Sequence, residues 1–137
     1  PLFLTQTLLP LMESGRVLHM SSGAAHHAYA GWGAYCLSKA AFLMLYKVYN
    51  QETEASVRHG SLRPGVVDTP MQDVIRSSSK EEFPQVDRFI NFKNEGILAD
   101  PETVARFTAW VLLDSSDEEF SADEWDIRDE THHKNWK

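Results

Sequence analysis

The order of strand-like and helical segments is what most restricts this chain. Residues 16–20, Arg-Val-Leu-His-Met, form a short run bounded by Gly15 and Ser21, and residues 56–62 form a second run stopped by Pro64-Gly65. Short runs closed by turn residues read as buried strands. Between them, 34–53 reads as the longest helix, with Leu37, Ala40, Ala41, Met44, Leu45 and Val48 marking its apolar face. Strands joined through a helix pair in parallel. The alternation continues on both sides. Residues 2–13 predict a buried helix tightened at Pro10, with helical turns near 70–77 and 80–90. Asp100-Pro101-Glu102 is a capped helix start running to about Leu113, and 124–128 predicts a last short strand. The expected class is α/β with a parallel sheet. About three strands and three main helices are too few to cover both faces of a doubly wound sheet, and no Gly-rich dinucleotide-binding turn occurs.

A chain of 137 residues supports a single domain, 1–137, with one core. Residues 132–137, His-His-Lys-Asn-Trp-Lys, read as a surface tail. The net charge is -7, and the acidic stretch 114–119 reads as a solvated loop. This balance disfavours nucleic acid, which is bound through Lys and Arg. No apolar run reaches 18 residues and no signal pattern is present, so neither a membrane span nor secretion is expected. The single Cys36 cannot form an internal disulfide and fits a reducing, cytoplasmic setting. His26-His27 and His132-His133 are adjacent pairs, a poor ligand spacing, and no metal site is expected. The opening Pro1-Leu2-Phe3-Leu4 is already helical apolar sequence, so a longer parent is expected.

Chemistry concentrates at Tyr35 and Lys39, four residues apart on the 34–53 helix, with Ser22 thirteen residues before the tyrosine. Side chains at this spacing share a helix face. A phenol of pKa about 10 beside an ammonium is drawn towards the phenolate, which makes an acid usable near neutral pH. A serine hydroxyl at the same place could hold a carbonyl oxygen while the tyrosine protonates it.

Ser22, Tyr35-x-x-x-Lys39 and Pro64-Gly65-x-x-x-Thr69, in this order and spacing, resemble the short-chain dehydrogenase/reductase family. Gly15–Ser22 looks like that family's fifth strand running into its catalytic serine, Tyr35–Ala41 like its active-site helix, and Arg63–Gln72 like its sixth strand and nicotinamide loop. Gly31–Tyr35 and Val66–Gln72 are most similar to the sepiapterin reductase and benzil reductase group.

The resemblance implies the C-terminal, catalytic half of a Rossmann-type doubly wound sheet, with the dinucleotide-binding half absent. It implies an NAD(P)(H)-dependent reduction of a carbonyl, such as an aromatic ketone, a diketone or a pterin side chain. Tyr35 would be the general acid and Lys39 its charged partner and ribose ligand, with Tyr35 also among the cofactor-binding residues. Ser22 would hold the carbonyl, with Ser21 the competing serine. Pro64, Gly65, Val67 and Thr69 would line the nicotinamide. Tyr29 and Trp32 either touch an aromatic substrate or simply pack, and Met71 and Gln72 are further substrate candidates. NADP, or else NAD, is the implied cofactor, held weakly by this half alone. In the family the helices matching 2–13 and 34–53 form a homodimer interface. The alternative expectation is an inactive fragment or dimerising module.

Overall fold

The computed structural model of the chain describes residues 1–52 and 56–137. Its centre is a parallel sheet in the order β1 (Gly15–Met20), β2 (Val57–Arg63), β3 (Trp125–Asp126). β1 and β2 pair from Gly15 opposite Val57 to Met20 opposite Leu62, whereas β3 adds only two residues, opposite Leu62 and Arg63. A further bridge joins Val67 to Ala99 beyond the end of β2. The helices are α1 (Leu2–Leu8), α2 (Gly33–Glu52), α3 (Pro70–Arg76), α4 (Val86–Asn94), α5 (Pro101–Leu113) and α6 (Asp117–Ala122). The expected α/β class and parallel sheet are therefore present. Thr53, expected to end the second helix, lies outside the described residues.

Alternation along the strands gives the sheet two unlike faces. Leu18 and Leu62 point to an apolar side, where Leu62 is buried with Val104, Phe107 and Val111 of α5, Phe120 of α6, and Ile127. A Cβ on Gly60 would lie 2.7 Å from Phe120 Cζ, so β2 needs a glycine for α6 to approach this closely. The opposite side carries His19, His59 and Ser61, all buried, under α2. Asp100 starts α5 as expected, its carboxylate accepting from Thr103 N at 3.0 Å with Pro101 following.

Four expectations are corrected. The acidic stretch 114–119 is exposed as expected, apart from Ser115, but it is not all loop. Ser116 and Glu119 form a capping box that starts α6, and Asp117 pairs with Arg16 at 2.7 Å and Arg58 at 3.3 Å. Residues 2–13 are not a buried helix. In α1 only Thr5 is buried, while Phe3 is 79% exposed and Leu4 and Leu8, one turn apart on the same side of the helix, are exposed together. The tail is not all surface. His132 and Trp136 are buried against Phe107, with ring centroids 5.0 and 4.9 Å away, and Trp136 Nε1 donates to His132 Nδ1 at 3.0 Å. Lys134, Asn135 and Lys137 remain exposed.

The fourth correction concerns α2, whose expected apolar face points outward: Leu37 is 75% and Met44 59% exposed. Leu43, Tyr46 and Tyr49 face the sheet instead. Tyrosines suit that side because each ring fills space while its hydroxyl finds an acceptor, Tyr46 donating to Ser121 O at 2.9 Å.

Beneath α2, His59 is fully buried, with its Nδ1 3.4 Å from His19 Nε2 and its ring stacked on Tyr49 at 4.7 Å. Burial first, and then the neighbouring His19, push the His59 pKa down to about 4; burial also lowers that of His19. Below about 6.5, the free-imidazole value, the unfolded chain takes up a proton that folded His59 refuses. Stability is therefore full near pH 7 and falls as pH drops from about 6.5 to 4, by roughly 2–3 kcal/mol from this residue. Urea unfolding at pH 7 and pH 4.5 should show a fall in stability that is clearly smaller in His59→Phe. An equal fall in both proteins would contradict this assignment.

Candidate active site

The carboxyl ends of β1 and β2 carry the expected residues. Beyond Met20 the backbone continues the ladder for one residue, Ser21 N donating to Leu62 O at 2.8 Å. Ser21 is buried and its Oγ has no partner. Ser22 is half-buried and extended, and it caps the 3-10 turn Gly23–Ala25, its Oγ accepting from Ala24 N at 3.2 Å. That turn packs against α2.

Tyr35 and Lys39 lie on consecutive turns of α2, the Lys39 Nζ 5.7 Å from the Tyr35 ring centroid and 5.3 Å from that of Phe42. Lys39 Nζ donates to Met20 O at 2.8 Å, which pins the helix to the last residue of β1. Burial lowers the Lys39 pKa from the ordinary lysine value. Two neighbouring ring faces and a carbonyl offset part of that desolvation. Sequence reasoning missed Met20 and Phe42, because neither carries a motif: one acts through its backbone, the other through an unremarkable place in the helix.

The loop between Ser22 and Tyr35 carries the aromatic candidates. The Trp32 ring stands edge-on to Tyr35 at 5.4 Å and is tilted against Tyr29 at 5.3 Å. Its face is stacked on Phe83, 4.6 Å between centroids and 3° from parallel, and Phe89 lies at 5.2 Å. Trp32 is thus both packed and adjacent to Tyr35. Gly31, with φ 84°, permits the approach, since a Cβ there would fall 2.4 Å from Glu82 O. Phe83 and Phe89 also went unrecognised in the sequence. Their signal is the spacing of Phe83, Val86 and Phe89, the only large apolar residues between 80 and 89.

After β2, Gly65 turns the chain with φ 74°. Ala99 then holds the next residues: Asp68 N donates to Ala99 O at 2.9 Å and Ala99 N to Val66 O at 2.8 Å, with Val67 between them. Thr69 caps α3 by position only and spends no side-chain hydrogen bond on it. Met71 is exposed, whereas Gln72 is buried with its Oε1 unpartnered. Pro64, Val67 and Thr69 are half-buried. Among the described residues no group of three His, Cys, Asp or Glu is placed to hold a metal ion, and no helix is long and apolar enough to cross a membrane.

Known proteins are similar to this chain in sequence and in fold. Benzil reductase ((S)-benzoin forming) of Bacillus cereus is 42% identical over 113 residues, which cover 77% of this chain and 45% of the relative. Sepiapterin reductase of Mus musculus is 42% identical over 94 residues, covering 68% of this chain and 35% of the relative. The chain therefore spans under half the length of these curated relatives. Among solved structures, the YIR035C short chain dehydrogenase/reductase of Saccharomyces cerevisiae superposes with a TM-score of 0.88 at 27% identity, covering 99% of this chain and 55% of its own. The KRED1-Pglu enzyme superposes with a TM-score of 0.80 at 32% identity, covering 92% of this chain and 53% of its own. The fold accordingly corresponds to about half of a Rossmann-type oxidoreductase. Residues 1–80, which include Ser22, Tyr35, Lys39 and the Pro64-Gly65 turn, match the pattern of the short chain dehydrogenases, and the chain belongs to that family.

Proposed function

We propose that this chain supplies the proton-transfer half of an NAD(P)(H)-dependent carbonyl reductase in which Tyr35 is the general acid. The observation that carries this reading is the Lys39 ammonium, bonded to Met20 O at 2.8 Å and lying beside the Tyr35 ring on the same helix face. A reduced nicotinamide, when bound, supplies the hydride. The chain's own residues handle the proton and the charge. Ser22 Oγ donates to the carbonyl oxygen as negative charge develops there. Tyr35 Oη gives that oxygen its proton, and the fixed charge of Lys39 stabilises the phenolate left behind. Ser22 is preferred over Ser21 because it is the more accessible of the two.

Lys39, Pro64, Gly65, Val67 and Thr69 are the residues to hold the nicotinamide side of the cofactor. They suit it: Lys39 keeps further N–H donors beyond its bond to Met20, Thr69 has a hydroxyl not used for capping, and Gly65 offers bare backbone. NADP is the cofactor proposed, with NAD the alternative, in a cytoplasmic enzyme. The substrate proposed is an aromatic ketone, a diketone or a pterin side chain. The aromatic group of Tyr29 and Trp32 next to Tyr35, and relatives named for benzil and sepiapterin, support that choice. Met71 and Gln72 are proposed as further substrate neighbours.

Self-association is a second element of the proposal, favoured by the exposed apolar residues of α1 and by the outward stripe of Leu37, Met44 and Val48 on α2. Buried together, these faces would form a homodimer interface, which is also how a dimerising module without catalysis of its own would use them. Sedimentation should find a dimer, and a monomer at all concentrations would contradict it. For the chemistry, Tyr35→Phe should lower kcat for NADPH-dependent reduction of benzil by about a thousandfold, as expected for loss of a general acid in a positioned site. Retention of more than a tenth of the wild-type rate would remove Tyr35 from the acid role.

A further inference from the structure

We infer that Glu124 is a positioning residue that fixes the Ser22 turn through His26; the inference rests on the role proposed for Ser22. Glu124 precedes β3, and its side chain is only 5% exposed. Oε1 accepts from Ser61 Oγ at 2.8 Å. Oε2 meets His26 Nε2 at 2.6 Å and pairs with Arg63 Nε at 3.1 Å. A carboxyl group buried this far needs partners for both oxygens. Here the partners come from two separate segments, the turn after β1 and strand β2, and Glu124 joins both to the approach to β3.

Two of these partners adjoin residues of the candidate site. His26 ends the 3-10 turn that Ser22 opens, with Ala25 N donating to Ser22 O at 2.9 Å and His26 N to Gly23 O at 3.1 Å. Arg63 directly precedes Pro64-Gly65 and is held on its other side by Asp126, with Nη2 and Oδ2 3.1 Å apart. One carboxylate therefore ties both ends of the Ser22 turn's setting: the turn itself through His26, and the start of the Pro64-Gly65 loop through Arg63. A serine donor is effective only when held at a fixed place relative to the reacting group. Glu124 fixes that place without touching substrate.

Amide hydrogen exchange on the full chain tests this directly, comparing wild type with His26→Ala, His26→Gln and Glu124→Gln. The His26 side chain is about one-third exposed, so its truncation opens no hole in the core. In His26→Ala, exchange in residues 22–27 should rise about tenfold while β1, β2 and α5 keep their protection, as expected for local rather than global opening. His26→Gln, whose amide can still donate to the carboxylate, should restore most of it, and Glu124→Gln should loosen the same turn. In NADPH-dependent reduction of benzil, kcat should fall about tenfold in His26→Ala with the KM for NADPH unchanged, and recover in His26→Gln. Unchanged exchange in residues 22–27, or an equal rise throughout the chain, would overturn the inference. Local loosening in a protein that reduces no carbonyl even as wild type would support the clamp and count against the reductase reading instead.

Discussion

The bond from the Lys39 ammonium to Met20 O joins the longest helix to the end of the first strand, and the geometry of the site follows from it. Met20 is the last residue of β1, and Ser22 stands two residues beyond it. Tyr35 stands one turn before Lys39 on α2. A hydrogen bond to a charged group contributes about 1.5–3 kcal/mol, which offsets part of the cost of desolvating the half-buried lysine. The flanking rings of Tyr35 and Phe42 reinforce it. The charge that stabilises the fold at this point is the same charge the proposed chemistry needs beside the phenol.

The two faces of the sheet divide the work. One side is an apolar core of Leu62, Phe107, Val111 and Phe120. Arg16 closes its rim, donating to Leu112 O at 3.1 Å and Ser115 O at 2.7 Å, where α5 ends and α6 starts, with its guanidinium 4.9 Å from the Phe120 ring centroid. The other side is polar for a buried surface. It holds the stacked His19, His59 and Tyr49, with Ser61 beside His19 in the register and bonded to Glu124. Rigid apolar packing thus backs the sheet, while the face that carries the site is organised by specific hydrogen bonds. Such bonds fix angles and separations that dispersion contacts alone leave loose.

Features set by local sequence were legible in it. The Asp100-Pro101 start of α5 depends on residues three apart, and the Tyr35–Lys39 pairing depends on one helical turn. The strands, the parallel order and the turn at Gly65 follow from short patterns as well. What escaped depends on partners far along the chain. Trp136 is buried because Phe107 lies beneath it, which the polar terminal sequence does not announce. The inward stripe of α2 is tyrosine-rich because Ser121, 75 residues on from Tyr46, accepts its hydroxyl; counting aliphatic residues selects the outward stripe instead. His26 and Glu124 are 98 residues apart in the chain, and only the fold places them 2.6 Å apart. The resemblance carried by Ser22, Tyr35 and Lys39 identified the family, while the groups that hold those residues in position became visible only with the fold.

The most direct test follows the atoms transferred. NADPH carrying deuterium at the transferable position of the nicotinamide should be incubated with the protein and benzil, and the benzoin product analysed by mass spectrometry. Deuterium on the carbinol carbon is the predicted result. Benzoin formed without deuterium on that carbon, or deuterium transfer as fast in Tyr35→Phe as in wild type, would contradict the assignment of Ser22, Tyr35 and Lys39 as carbonyl-reducing machinery.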